Sequence, residues 1–216
     1  GIQPYYSKRS NIMTNKFIYY NKPRMITEPR WKSYIVQTTT PVFSPEQCQQ
    51  IINTGQSLPA KTAEVGGNVI GGEVDKNVRT SHISWIPFDA LEPMYRKLEH
   101  VMHQTNQNHF GFEGMQLTEP AQYTEYPEGG YYQWHQDSNF ECANEPPVRK
   151  ISMTLLLSHE SEFEGGELEL IGPGKKAPIK QGHAIFFASF ISHRVAPVTR
   201  GLRKSLVVWF GGPALK

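Results

Sequence analysis

Apolar residues recur at helical spacing most clearly between Asp89 and Asn106. Leu91, Met94, Tyr95, Leu98, Val101 and Met102 fall on one face there, which predicts an amphipathic helix with its apolar side in the core. Asp89 is the expected N-cap. His100 and His103 lie on the same helix without an evident carboxylate beside them, and read as surface residues. Ser44-Pro45-Glu46-Gln47 marks a second helix start. The serine caps, the proline sits at the first helical position, and the glutamine closes a capping box. Cys48, Ile51 and Ile52 supply its apolar face, and Gly55 is its expected end.

Elsewhere the pattern shortens to strand length. Tyr34–Thr40 and Thr80–Ile86 are β-rich. After Gly114 such runs follow one another: 116–126, 131–137, 151–158, 167–171, 184–187 and 205–210. The turns between them carry Gly129-Gly130, Gly165-Gly166 and Gly172-Pro173-Gly174. Many short strands with this punctuation predict a sandwich or barrel. Two helices ahead of a run of strands give an α+β, mainly β order, with the helices on one side of the sheets. Residues 1–33 lack a period and read as an irregular arm, leaving 34–216 as a single domain. Met13 is a candidate natural start, which would leave 1–12 as an expression remnant. Residues 61–78, rich in glycine and charge, are either an exposed hairpin or a lid over a site.

Composition narrows the function classes. Hydrophobic residues make up 38% and charged residues 19% of the 216, a globular balance. The formal net charge of +2 and the scattered basic residues give no electrostatic footprint for nucleic acid. No run of about 18 apolar residues predicts a membrane span. The two cysteines, Cys48 and Cys142, sit in unrelated contexts, so the expectation is a reducing, cytoplasmic setting without a disulfide framework.

The candidate chemistry centres on Trp134-His135-Gln136-Asp137. In a strand, residues two apart share a face, so His135 and Asp137 reach one point. By itself the pair is weak, because a catalytic zinc site uses it too. His193 is the candidate third ligand. Two histidines and one carboxylate leave open positions opposite, an arrangement suited to iron(II). Arg203 opens the run Arg203–Phe210 and shares a face with Ser205, Val207 and Trp209. An inward arginine in an apolar strand needs a partner. A dicarboxylate ligand satisfies it, with Ser205 as a second donor; a structural salt bridge to a glutamate is the alternative. Trp209 reads either as core or as a wall of a substrate pocket. Tyr131 shares the parity of His135 and is expected to face inward.

These stretches, in this order, resemble the prolyl 4-hydroxylase-like branch of the iron(II)/2-oxoglutarate oxygenases. Val78-Arg79-Thr80-Ser81 resembles the segment after that family's substrate loop, and Tyr126 the tyrosine of the strand leading into its metal motif. Tyr131–Asp137 resembles the metal motif itself. Glu164-Gly165-Gly166-Glu167-Leu168 is similar to the family's Gly-Gly hairpin, and Gly182–Phe187 to the strand before its distal histidine. His193-Arg194-Val195 with Gly201-Leu202-Arg203 resembles the distal histidine and the cosubstrate arginine. The likeness runs over residues 44–212.

The resemblance implies a double-stranded β-helix, a jelly-roll or cupin-like core with supporting helices. It implies iron(II) on His135, Asp137 and His193, which would be the catalytic centre. The cosubstrate 2-oxoglutarate would be held by Arg203 and Ser205, with Tyr126 and Thr154 assisting. Dioxygen is the oxidant, and ascorbate the reductant in an assay. Arg79, Tyr131 and Trp209 would line the substrate pocket. Two features depart from the family. His183 stands where an acidic residue is frequent, and Ser152, Thr154 and Leu156 share the face where one branch has a tyrosine, leaving Thr154 as the helper. The implied reaction hydroxylates a C–H bond, first of all in a prolyl residue of a peptide or protein, with 2-oxoglutarate decarboxylated to succinate and CO2. Two rivals stand beside it: an oxygenase acting on a free amino acid or other small molecule, and a cupin-like module that binds without catalysis. Oligomeric state is not legible in the sequence.

Overall fold

In the computed structural model the described residues are 33–62, 79–138, 147–177 and 179–214, all within the compact unit Ser33–Lys216. The expected N-terminal arm, all but two residues of the 61–78 loop, and Cys142 lie outside the described residues.

Strand β1 (Ile35–Gln37) leads into helix α1 (Pro45–Ser57). Ser44 caps this helix as its sequence dictates: the Ser44 hydroxyl accepts the Gln47 N–H at 3.2 Å, and Gln47 Oε1 accepts the Ser44 N–H at 2.9 Å. The helix continues past Gly55. That glycine serves packing: a Cβ there would lie 2.3 Å from the Tyr123 ring, so its absence lets α1 seat on the sheet. Next come β2 (Lys61–Thr62), β3 (Arg79–Thr80) and β4 (His82–Ile86). The strand expected over 80–86 is thus broken at Ser81, and its two pieces join different sheets. Helix α2 (Glu92–Thr105) buries Met94, Tyr95, Leu98 and Met102. Its N-cap is Leu91, with φ −143°, ψ 60° and no side-chain cap; Asp89 lies in the preceding turn. A π-helical turn, Asn106–Phe110, follows α2 and ends at Gly111, whose φ of 73° suits glycine.

Strands β5 (Gln116–Leu117) and β6 (Ala121–Tyr126) divide the expected 116–126 run before Pro120, which lacks a ladder donor. The remaining strands are β7 (Tyr131–His135), β8 (Val148–Leu156), β9 (Phe163–Gly165), β10 (Leu168–Leu170), β11 (Lys176–Ala177), β12 (Ala184–Ala188), β13 (His193–Val195), β14 (Val198–Gly201) and β15 (Arg203–Gly212). The larger sheet runs β1-β12-β8-β15-β6-β4-β2, with β5 on β15. The smaller runs β11-β10-β13-β7-β3, and β9 pairs with β14. Successive strands therefore alternate between layers: β7 small, β8 large, β10 small, β12 large, β13 small, β15 large. This alternation is the double-stranded β-helix.

Strand parity sets two cores. Leu206, Val208 and Phe210 of β15 join Tyr123, Ile151, Met153, Leu155 and Phe186 under α1 and α2. Between the sheets lie Tyr126, Leu168, Leu170, Ile185, Phe187, Val195 and Val198. Full burial of each such aliphatic or aromatic side chain stabilises by about 1.5–3 kcal/mol. The intersheet layer is apolar on one flank only. On the other the large sheet presents polar residues inward, and the site occupies that flank. Among the described residues no helix is long and apolar enough to cross a membrane.

Candidate active site

The smaller sheet brings the three sequence-predicted ligands together. β13 pairs with β7 so that His193 stands opposite His135. Their rings are 4.1 Å apart between centroids. Strand β7 stops at His135, so Asp137 is not held by a ladder. Its N–H, with that of Ser138, donates to Ser189 O, each at 3.0 Å. Asp137 Oδ1 lies 3.4 Å from His135 Nε2, and Oδ2 lies 3.5 Å from His193 Nε2. One ligand atom from each residue falls within 4.8 Å of the others. Strand alternation anticipated the convergence, but a bend after the strand delivers it.

Protonation in the cluster suits a divalent cation. His135 Nδ1 is 2.8 Å from Gln133 O, and His193 Nδ1 is 2.9 Å from Ile191 O. A carbonyl only accepts, so both histidines carry a proton on Nδ1, which turns Nε2 toward the cluster. Burial pushes the Asp137 carboxyl up, but His193, His135 and the Ser152 hydroxyl outweigh it and hold the group well below the carboxylate range. Burial lowers the pKa of His193, reinforced by His135 and opposed by Asp137. One carboxylate and two imidazole nitrogens are the donor set that iron(II) takes.

Arg203 is 1% exposed, and burial weakens its hold on its proton. Its Nη1 donates to Ser205 Oγ at 3.2 Å, while Nη2 is buried without a partner. No acidic side chain pairs with it among the described residues, so the salt-bridge alternative is not realised there. Tyr126 stands opposite it in register, with the guanidinium 5.7 Å from the ring centroid. Gly166 makes its seat: a Cβ there would lie 2.8 Å from Arg203 Cδ and 2.9 Å from a Val198 methyl. Ser205 faces Leu156, Val207 faces Thr154, and Trp209 faces Ser152. Ser152 donates to Asp137 Oδ2 at 2.6 Å. The face from Ser152 to Leu156, about 13 Å of strand, links the ligand cluster to the arginine. The unpaired Arg203 Nη2 fits the far carboxylate of a dicarboxylate.

The substrate-pocket residues divide. Arg79 is buried; its Nε donates to Ser81 Oγ at 2.7 Å and its Nη2 to Gln122 Oε1 at 2.9 Å. Its guanidinium lies 4.4 Å above the Tyr132 ring, and Tyr132 in turn stacks on His135 at 3.6 Å. The inward tyrosine is therefore Tyr132, in place of the expected Tyr131. The register shift between the His193 and Val195 pairings of β13 with β7 breaks the simple alternation on which that expectation rested. Trp209 is buried with Nε1 unpartnered. It packs 6.0 Å from Trp85, with the Arg149 guanidinium 3.8 Å from its ring centroid. Arg149 makes two 2.6 Å bonds to Glu119. Sequence reasoning missed Tyr132, Arg149, Glu119, Gln122 and Ser189. Ser152 carried a signal, since its parity placed it with Thr154, but its partner did not.

The family described as the 2OG-Fe(II) oxygenase superfamily matches residues 121–211, a span that contains the ligand cluster and Arg203. A PKHD-type hydroxylase of Acidovorax ebreus is 37% identical over 95 residues, covering 42% of this chain and 42% of the relative. The alignment thus spans less than half the length of that curated relative. The fold is similar to a Pseudomonas putida prolyl-4-hydroxylase, with a TM-score of 0.64 at 19% identity, covering 84% of this chain and 94% of that one. It is also similar to a Trichoplax adhaerens prolyl hydroxylase in complex with a hypoxia-inducible-factor peptide fragment. There the TM-score is 0.62 at 18% identity, covering 83% and 84%. The matched span carries both halves of the geometry, so over these residues the chain is similar to the 2OG-Fe(II) oxygenase superfamily.

Proposed function

We propose that this chain is an iron(II)- and 2-oxoglutarate-dependent oxygenase that hydroxylates a C–H bond, first of all in a prolyl residue of a peptide or protein. The observation that carries the reading is the buried, half-paired guanidinium of Arg203, on the inner sheet face that also reaches the His135, Asp137 and His193 cluster. A binding module has no need of a dicarboxylate clamp beside a metal site.

The nitrogens of His135 and His193 and the carboxylate of Asp137 would hold iron(II); Arg203 and Ser205 would hold the far carboxylate of 2-oxoglutarate, with Tyr126 and Thr154 lining its berth. Bound there, iron and 2-oxoglutarate supply the oxidising power that turns dioxygen and a C–H bond into a hydroxyl, releasing succinate and CO2. The chain contributes placement. Tyr132 covers one face of His135 and keeps water from it. Trp209, packed against Trp85 and beneath the Arg149 guanidinium, would form part of the inner wall of the pocket. Trp85 is 37% exposed, so this wall reaches the surface, as an extended peptide requires.

One observation favours the small-molecule alternative. Arg79 is a buried guanidinium held by two neutral acceptors, and the carboxylate of a free amino acid would complete it. The cytoplasmic setting also stays part of the proposal, resting on the cysteine-poor composition.

The test is succinate formation from 2-oxoglutarate with iron(II), ascorbate and air, with and without proline-rich peptides or free amino acids. Iron-dependent succinate that rises with peptide supports the proposal. A rise with free amino acids only moves the substrate to the alternative, and no succinate above the enzyme-free level overturns the oxygenase reading.

A further inference from the structure

One turn gathers contacts from two of the three candidate ligands, Asp137 and His193. It follows β12 and closes with Ile191 N–H donating to Ala188 O at 2.8 Å. Two of its three successive carbonyls bond the Trp134–Asp137 motif and its neighbour Ser138, and the third bonds His193. Ser189 O accepts from Asp137 N and Ser138 N, Phe190 O from Gln136 Nε2 at 2.8 Å, and Ile191 O from His193 Nδ1 at 2.9 Å. The same turn reaches the Asp137 side chain through two hydroxyls. Ser189 Oγ lies 2.9 Å from Ser152 Oγ, and Ser152 Oγ lies 2.6 Å from Asp137 Oδ2. Ser152 and Ser189 are both fully buried.

The direction of this chain follows from proton counting. An ionised carboxylate only accepts, so Ser152 spends its single proton on Oδ2. Toward Ser189 it is then the acceptor, and the Ser189 hydroxyl donates. Each bond polarises the next, which strengthens the last one in a buried setting.

We propose that Ser189 and Ser152 are positioning residues of the metal centre, a buried hydroxyl relay that fixes the rotation of the Asp137 carboxylate. Asp137 needs such a hold because it lies beyond the end of β7, where no strand pairing orients it. With Oδ2 engaged by Ser152, Oδ1 would be the oxygen left to hold a metal, and a carboxylate without that bond would be free to turn. The proposal rests on the metal-centre reading above.

The test measures metal affinity apart from turnover, by anaerobic titration with iron(II) and by the visible spectrum of the cobalt(II) form. Thermal stability of the metal-free protein is recorded alongside. Ser152→Ala is expected to weaken metal binding by about 10- to 100-fold and to shift the cobalt band. Ser152→Thr, which keeps the hydroxyl, is expected to restore both. Ser189→Ala leaves Ser152 in place and should weaken binding severalfold; it also gives an answer if Ser152→Ala does not fold. Wild-type metal affinity in folded Ser152→Ala or Ser189→Ala overturns the relay, whatever happens to stability. Equal loss in the alanine and threonine variants also overturns it, since packing then explains the effect. If the wild-type chain itself binds no iron(II), the metal-centre reading fails and the relay with it.

Discussion

Gly166 and Arg203 work as a pair that neither residue type announces alone. The glycine has a φ of +65° and its missing Cβ is the space that the arginine stem fills. Gly166→Ala adds left-handed strain of about 1–2 kcal/mol and displaces the guanidinium. Its expected signature is a rise of about tenfold in the 2-oxoglutarate KM, the equivalent of one weakened charge-assisted hydrogen bond, with iron affinity unchanged. Arg203→Ala should raise that KM by roughly a hundredfold on the same reasoning. If either variant alters thermal stability but not the KM, the guanidinium is structural and does not hold the cosubstrate. Single residues were legible in the sequence where their chemistry admits few uses. His135, Asp137, His193 and Arg203 could be named because a metal or a carboxylate explains them. Ser189, Glu119 and Gln122 could not, because a serine or an amide takes its meaning from a partner far away in the chain.

Elements were legible where their signals are local. The capping box at Ser44 fixed the start of α1, since both of its bonds lie within one turn. Its far end was misjudged at Gly55, whose reason is the Tyr123 ring on another strand. Gly55→Ala tests that reason: a Cβ at 2.3 Å from the ring forces helix and sheet apart. The expected loss is about 1–3 kcal/mol, despite the gain in helix propensity, read as a lower denaturant midpoint. An unchanged or higher midpoint would show that the packing yields. The break at Ser81 was hidden for the same kind of reason. Residues 80–86 read as one strand, but β3 pairs with β7 and β4 with β6, and pairing across sheets leaves no local trace. Tyr131 and Tyr132 exchanged roles because a register shift inverts parity.

At the scale of the whole molecule, the helix-side core carries a response to alkali. Burial pushes the Cys48 thiol up from 9.0 to about 11. It pushes the Tyr95 phenol up from 10.0 to about 12, opposed by its bond from the Ala121 N–H. Tyr123 is raised too, by burial and by donating to Glu125. The fold favours the neutral form of each group. Their contribution is complete below the ordinary values and is lost as pH rises through the raised ones. The denaturant midpoint should therefore fall progressively between about pH 9 and 12, and a flat midpoint over that window contradicts the burial of these groups.

The division of labour between the two sheets has a further consequence. His135 and His193 belong to the smaller sheet, whereas Arg203 and Ser205 belong to the larger. The gap between the His135, Asp137 and His193 cluster and the guanidinium is therefore set by the thickness of the layer that Leu168, Leu170, Ile185, Phe187, Val195 and Val198 fill. The sandwich acts as a calliper whose opening is the volume of its own core. On the proposed function, residues that never touch the cosubstrate would thereby decide how long a dicarboxylate fits.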